Sequence, residues 1–139
     1  MSFSERISPL LGRLAIAWFF LSEAWAILQS WDGTVVMMQM KHVELAAPLL
    51  VLAVAAMVLG GLSVALGYHT RHGALMLFGF TVIASIMMHD YWKIESASER
   101  AADYEIFVRN MAIAGGLLLL MGIGPGPFAI DNQPAGKRR

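Results

Sequence analysis

The chain contains no cysteine. Disulfides, thiolate metal sites, iron–sulfur clusters and any dithiol relay within this subunit are therefore excluded. Charge is scarce as well: 14% of the 139 residues are Asp, Glu, Lys or Arg, against roughly 25% in an ordinary soluble domain. The formal net charge is zero, so the basic footprint expected of a nucleic-acid binder is missing, and no nucleic-acid partner is expected. In place of charge there is apolar surface, with 58% hydrophobic residues and a mean hydropathy of +0.62. The few charges gather between long apolar runs, which is the pattern of an integral membrane protein. The first run is too long for a cleavable signal, and Ala24-Trp25-Ala26 is not followed by a mature soluble domain, so a retained span is expected.

Four apolar runs stand out, at about 7–28, 46–66, 73–88 and 106–123. A helix needs roughly 20 residues, at 1.5 Å rise each, to cross the hydrocarbon core. The third run reaches that length only if residues 89–92 extend it, and the fourth needs Glu105 as part of its first turn. Lipid cannot satisfy backbone groups, so spans must be helices or closed barrels. These runs lack the alternation of strands. The expectation is all-α: an integral membrane four-helix bundle, up-down-up-down, with helices at about 7–28, 46–66, 73–92 and 105–123. Residues 1–131 would form one four-span domain and 132–139 a basic cytoplasmic tail.

Between the first two spans, Trp31-Asp32-Gly33-Thr34 reads as a turn. The apolar Val35–Met38 cluster that follows is too short to span and is expected to dip into the interface or cap the bundle. Its methionines read as filler rather than a soft-metal site. In the second span, Ala56 and Gly60, and Gly61 and Ala65, are small residues four apart, a pattern that lets helix backbones approach closely in lipid. They are expected to meet Ala112 and Gly116 of the fourth span. The short 67–72 turn makes spans two and three antiparallel neighbours, and its His69 and His72 read as headgroup contacts. Arg13, near the start of span one, is expected to snorkel to the headgroups.

Basic residues set the orientation. The N-terminus, second loop and tail hold Arg6, Arg13, Arg71, Lys137, Arg138 and Arg139 against Glu5 and Asp131, a net of +4. The opposite side carries Lys41, Lys93, Arg100 and Arg109 against seven acidic residues, a net of −3. Both termini should be cytoplasmic. An aromatic belt of Trp25, Trp31, Tyr91, Trp92, Tyr104 and Phe107 then falls at the outer interface. At that end the topology gathers Glu23, His89, Asp90, Arg109 and Asn110. Glu23 lies roughly 7 Å inside the end of span one, where ionisable groups are rare and point to function. Glu105 and Arg109 are spaced for a helical ion pair. Glu23 is expected within reach of Arg109, with His89 or Asn110 completing the network, a set able to hold a proton, bind a quinone carbonyl or grip a headgroup.

These residues also carry a resemblance. Leu11-Gly12-Arg13-Leu14 opens span one. Leu59-Gly60-Gly61-Leu62 and Leu66-Gly67-x-x-Thr70-Arg71 close span two, and Met88-His89-Asp90-Tyr91-Trp92 closes span three. Phe107-x-x-Asn110-x-Ala112, Gly115-Gly116-Leu117-Leu118 and Gly124-Pro125-Gly126-Pro127-Phe128-Ala129-Ile130-Asp131 follow. In order and spacing, from about Leu10 to Asp131, this resembles the DoxX family of small four-helix bacterial inner-membrane proteins. It departs where that family often places a Glu before the Gly-Gly of span two, since Met57 stands there. The resemblance implies a subunit or accessory protein of a respiratory or redox membrane complex, without catalytic activity of its own. Two alternatives are a quinone-handling oxidoreductase subunit using the outer polar cluster, and a binder or carrier of a small lipophilic molecule. The implied partners are the lipid bilayer and other subunits of such a complex. Quinone is the one cofactor in view, with no metal and no covalent group expected.

Overall fold

The computed structural model describes residues 2–132. Its elements are α1 (Phe3–Gln29), α2 (Trp31–Met40), α3 (Ala46–Leu66), α4 (Thr70–Met88) and α5 (Ala97–Ile123), with 3₁₀ turns at Tyr91–Lys93 and Ile130–Asn132. All but α2 are long and apolar enough to cross a membrane. The all-α membrane bundle read from the apolar runs is the observed fold. The tail expected over 132–139 lies, from residue 133, outside the described residues.

Helix ends follow local chemistry rather than hydropathy. At the head of α1, Ser2 and Glu5 form a reciprocal capping box, so the helix begins ahead of its apolar run. Helix α5 begins at Ala97, eight residues before the 105 expected from hydropathy. Residues 97–104 include the strong helix formers Ala97, Glu99, Arg100, Ala101 and Ala102, with Glu99 in the first turn, where a carboxylate complements the helix dipole. Such residues carry no apolar signal. The turn expected at Trp31–Thr34 is instead the start of α2. Only Ser30 breaks the path between α1 and α2, and Gly33 is carried inside the helix with no neighbour within 4 Å of a Cβ position.

Helix α3 packs between α1 and α4, and α5 packs on α4. The expected pairing of α3 with α5 through Ala56/Gly60 and Ala112/Gly116 is not what forms. A Cβ on Gly60 would come 2.6 Å from Cγ of Leu77 on α4, and one on Gly61 would come 3.1 Å from Leu21 on α1. Successive residues point about 100° apart around a helix, so adjacent glycines serve two different partners. Gly116 of α5 comes nearest to Ile16 of α1, and Ala112 is exposed. The core between the helices comprises Phe20, Ala24, Met57, Val64, Ala74, Leu77 and Leu117. Trp18, Trp25, Leu52, Leu59, Ile83 and Leu119 stand exposed on the outside, as a lipid-facing surface requires.

Leu77 is fully buried and has no room to yield. Gly60→Leu should therefore overpack the α3–α4 contact and cost about 1–3 kcal/mol. Thermal unfolding in mild detergent would show a lowered midpoint; an unchanged one would remove Gly60 from that contact.

Candidate functional site

The bundle has two polar ends. At the end where α1 begins and α3 turns into α4, three of the sequence motifs meet. The turn from α3 to α4 is held by Gly67, whose φ of +67° suits glycine. The N-terminus of α4 has no cap from its own turn; His69 stands at the cap position in the left-handed region. Asp131, arriving from the far end of the chain, replaces it. Its carboxylate accepts from the His69 N–H, the Thr70 N–H and the Thr70 hydroxyl, each at 2.8 Å. The Asp131 N–H in turn donates to the Gly67 carbonyl at 2.8 Å. Burial pushes the Asp131 pKa up, but the bonds from Thr70 and His69 outweigh it and hold the carboxyl below its ordinary value.

Arg13 belongs to this end and does not snorkel. Its side chain is 1% exposed and donates from Nη2 to the Phe128 carbonyl. It lies under the Gly124–Asp131 segment, and its Nη1 would be 2.2 Å from a Cβ on Gly67. Folding that segment back over the helix ends, where Gly126 meets Pro9, closes Arg13 off from solvent. Its position in the sequence, near a span terminus, gave no sign of this cover. Thr70, Arg71, His69 and His72 also line a shallow polar hollow with Gly124 and Asp131. The rings of His69 and His72 pack edge to face with centroids 5.8 Å apart. Among the described residues no group of three or more His, Asp or Glu is placed to hold a metal ion.

The opposite end contains a cleft of about 470 Å³. Phe19, Phe20, Glu23 and Ile27 of α1, Thr34 and Met38 of α2, and Arg109 and Asn110 of α5 line it. Its sides are Leu49, Leu52, Ala53 and Ala56 of α3, and Met76, Phe80, Thr81, Ile83, Ala84 and Met87 of α4. Helices α3 and α4 approach closely near their shared turn, where Gly73 lies against Ser63 and Gly60 against Leu77. Further along, Leu52 and Ile83 line the cleft while remaining more than half exposed. The cleft thus opens sideways, toward where lipid would be.

Of the five residues read from the sequence as a polar cluster, Glu23, His89, Arg109 and Asn110 line this cleft, and Asp90 does not. The expected network between them is not formed. Glu23 has no hydrogen bond or ion pair among the described residues, and the Arg109 guanidinium lies over the Phe19 ring, 5.5 Å from its centroid. No Glu105–Arg109 ion pair forms among the described residues either. His89 instead bonds through Nδ1 to Asp103 at 2.8 Å, tying the end of α4 to α5. Asp90 receives Lys41, from the α2–α3 connection, and Lys93 at 3.2 Å. Asn110 donates to the buried Ser85 hydroxyl at 3.0 Å. His89, Asp90 and Asn110 thus have partners other than Glu23 and Arg109, and neither Glu23 nor Arg109 has a hydrogen-bond or ionic partner among the described residues. Four of the belt aromatics, Tyr91, Trp92, Tyr104 and Phe107, pack edge to face beside this end.

Sequence reasoning missed Thr81. It is 4% exposed, lines the cleft, and its hydroxyl has no hydrogen-bond partner. A buried hydroxyl without a partner is costly in an apolar setting. The available signal was its spacing, four residues before Ser85, which puts two hydroxyls on one face of an otherwise apolar helix.

Several known proteins are similar to this one. Inner membrane protein YqjF of Escherichia coli is 30% identical over 129 residues, which is 92% of this chain and 92% of that protein. Inner membrane protein YphA of the same organism is 27% identical over 124 residues, covering 89% of this chain and 88% of that one. The ER-derived vesicles protein ERV29 of Saccharomyces cerevisiae is 30% identical over 76 residues, 55% of this chain but only 24% of that protein. No solved structure matches. The DoxX family model matches residues 8–90. With four apolar helices and two inner-membrane relatives matched over nearly their whole length, the chain is a multi-pass inner membrane protein and belongs to the DoxX family.

Proposed function

We propose that this DoxX protein is a non-catalytic membrane accessory protein that holds one lipophilic molecule in the cleft between α3 and α4. The observation that carries this reading is the cleft itself: apolar along its length, open to the side, and bordered by polar groups at one end. A volume of about 470 Å³ falls within the usual range for small-molecule sites, roughly 300–1,000 Å³. Thr81, deep in the cleft with an unpaired hydroxyl, supplies a fixed hydrogen-bonding point of the kind that orients a ligand in an apolar pocket. The charge asymmetry of the loops supports a mouth on the non-cytoplasmic side.

A second reading makes the occupant a quinone and the protein a subunit of a respiratory or redox complex. The observation in its favour is that Arg109, Asn110 and His89, all able to hydrogen-bond a carbonyl, border the same cleft. Purification in mild detergent followed by mass spectrometry of bound lipids, quinones and proteins tests both. Ala53 faces the cleft from α3, so Ala53→Trp should fill it and reduce the bound molecule by about tenfold or more. Retention unchanged by the tryptophan would show that the cleft is not the site. Copurified respiratory subunits, with bound quinone, would favour the second reading.

A further inference from the structure

Resting on the cleft reading above, we infer that the molecule it holds is a zwitterionic phospholipid bearing a phosphate and a primary amine, of the phosphatidylethanolamine type. Two observations point there independently. The first is the charge left at the mouth. Around the end of α4, Asp90 is paired with Lys41 and Lys93, and Asp103 is bonded to His89. Glu23 and Arg109, both lining the cleft, have no ionic partner among the described residues. One free carboxylate and one free guanidinium match a head that carries one cation and one anion. A purely anionic head would leave Arg109 satisfied and Glu23 opposed, and a quinone would leave both charges uncompensated.

The second observation is the order of groups along the cleft. Thr81 lies seven residues before the end of α4, so about 10 Å below the mouth along the helix. Its hydroxyl is a donor without an acceptor. In a glycerophospholipid the acyl ester carbonyls lie just below the head, and they are acceptors only. With phosphate on Arg109 and ammonium on Glu23, an ester carbonyl meets Thr81 and the acyl chain runs along Phe80, Met76 and Leu52. The lateral opening lets the remaining chain stay in the bilayer. The Arg109 guanidinium, planar and forked, suits a phosphate, and Phe19 beneath it holds it in place.

The test uses the full chain in nanodiscs of equal parts phosphatidylethanolamine and phosphatidylglycerol with the same acyl chains, plus a small share of ubiquinone. The protein is released into native mass spectrometry and its bound molecules are identified. The ethanolamine lipid should be enriched about tenfold over the glycerol lipid, as one charge-assisted hydrogen bond allows. Glu23→Gln should abolish that preference while lipid still binds, and Glu23→Asp should keep part of it. Arg109→Gln should weaken both lipids. Equal retention of the two lipids by the unaltered protein, a preference that survives Glu23→Gln, or quinone as the main occupant would overturn the zwitterion assignment. In those cases loss of the bound molecule in Ala53→Trp would still uphold the cleft. Binding indifferent to Ala53→Trp would overturn the cleft reading and this inference with it.

Discussion

Gly67→Ala is expected to be the most damaging single-methyl substitution among the glycines of the described residues. Gly67 has a φ of +67°, and a Cβ there would lie 2.2 Å from Arg13 Nη1 and 2.8 Å from the Ala129 backbone. The left-handed conformation costs about 1–2 kcal/mol for a residue with a Cβ. Overpacking adds about 1–3 kcal/mol, and here the obstacle includes backbone that cannot step aside. The expected loss is thus about 2–5 kcal/mol, read as a lowered thermal midpoint in detergent. Gly79 and Gly115 supply the comparison. Both sit in helices with nothing within 4 Å of a Cβ, so alanine there should be neutral or stabilising by up to about 1 kcal/mol. Equal midpoints for Gly67→Ala and Gly79→Ala would mean that the turn does not close on Arg13 in the membrane protein.

The contrast between these glycines shows what the sequence could and could not convey. Four spans, their all-helical nature and the antiparallel pairing across the 67–72 turn were legible, because lipid imposes length and apolarity on any spanning helix. The cluster at the α2 end was legible in part: Glu23, His89, Arg109 and Asn110 do border one cleft, since topology alone fixes which helix ends are together. Their partners were not legible. Lys41 reaches Asp90 and Asp103 reaches His89 because of how the helices pack, and the spacing of Gly60 does not say that its partner is Leu77. Thr81 passed unnoticed because one hydroxyl barely alters the hydropathy of a span. The motifs at the terminal end gave the family but not their own purpose. Arg13, Gly67, Thr70 and Asp131 are separated by as many as 118 residues, and only the folded bundle shows that they form one lock.

Arg13→Met is the sharpest test of that lock, because the snorkelling reading and the structure predict opposite results. Methionine preserves an unbranched side chain and removes the charge. If Arg13 reached the headgroups, the change would leave stability nearly unaltered. The structure instead buries the guanidinium to 1% exposure with the Phe128 carbonyl as its bonded partner. Removing the donor leaves a carbonyl of the closing segment without it, which costs about 1–3 kcal/mol. Arg13→Ala should cost more, about 2–5 kcal/mol, since it also vacates the space beneath Gly67 and Ala129. Arg13→Lys keeps the charge but has no fork and a shorter reach, so it should fall between the native protein and methionine. The segment itself should respond: with Arg13 lost, amide hydrogens at Asp131, bonded to Gly67, and at Thr70, bonded to Asp131, should exchange faster, while those in the middle of α5 should not. A methionine variant with native thermal midpoint and native exchange at Asp131 and Thr70 would return Arg13 to the membrane surface and leave the 124–131 segment held by Asp131 alone.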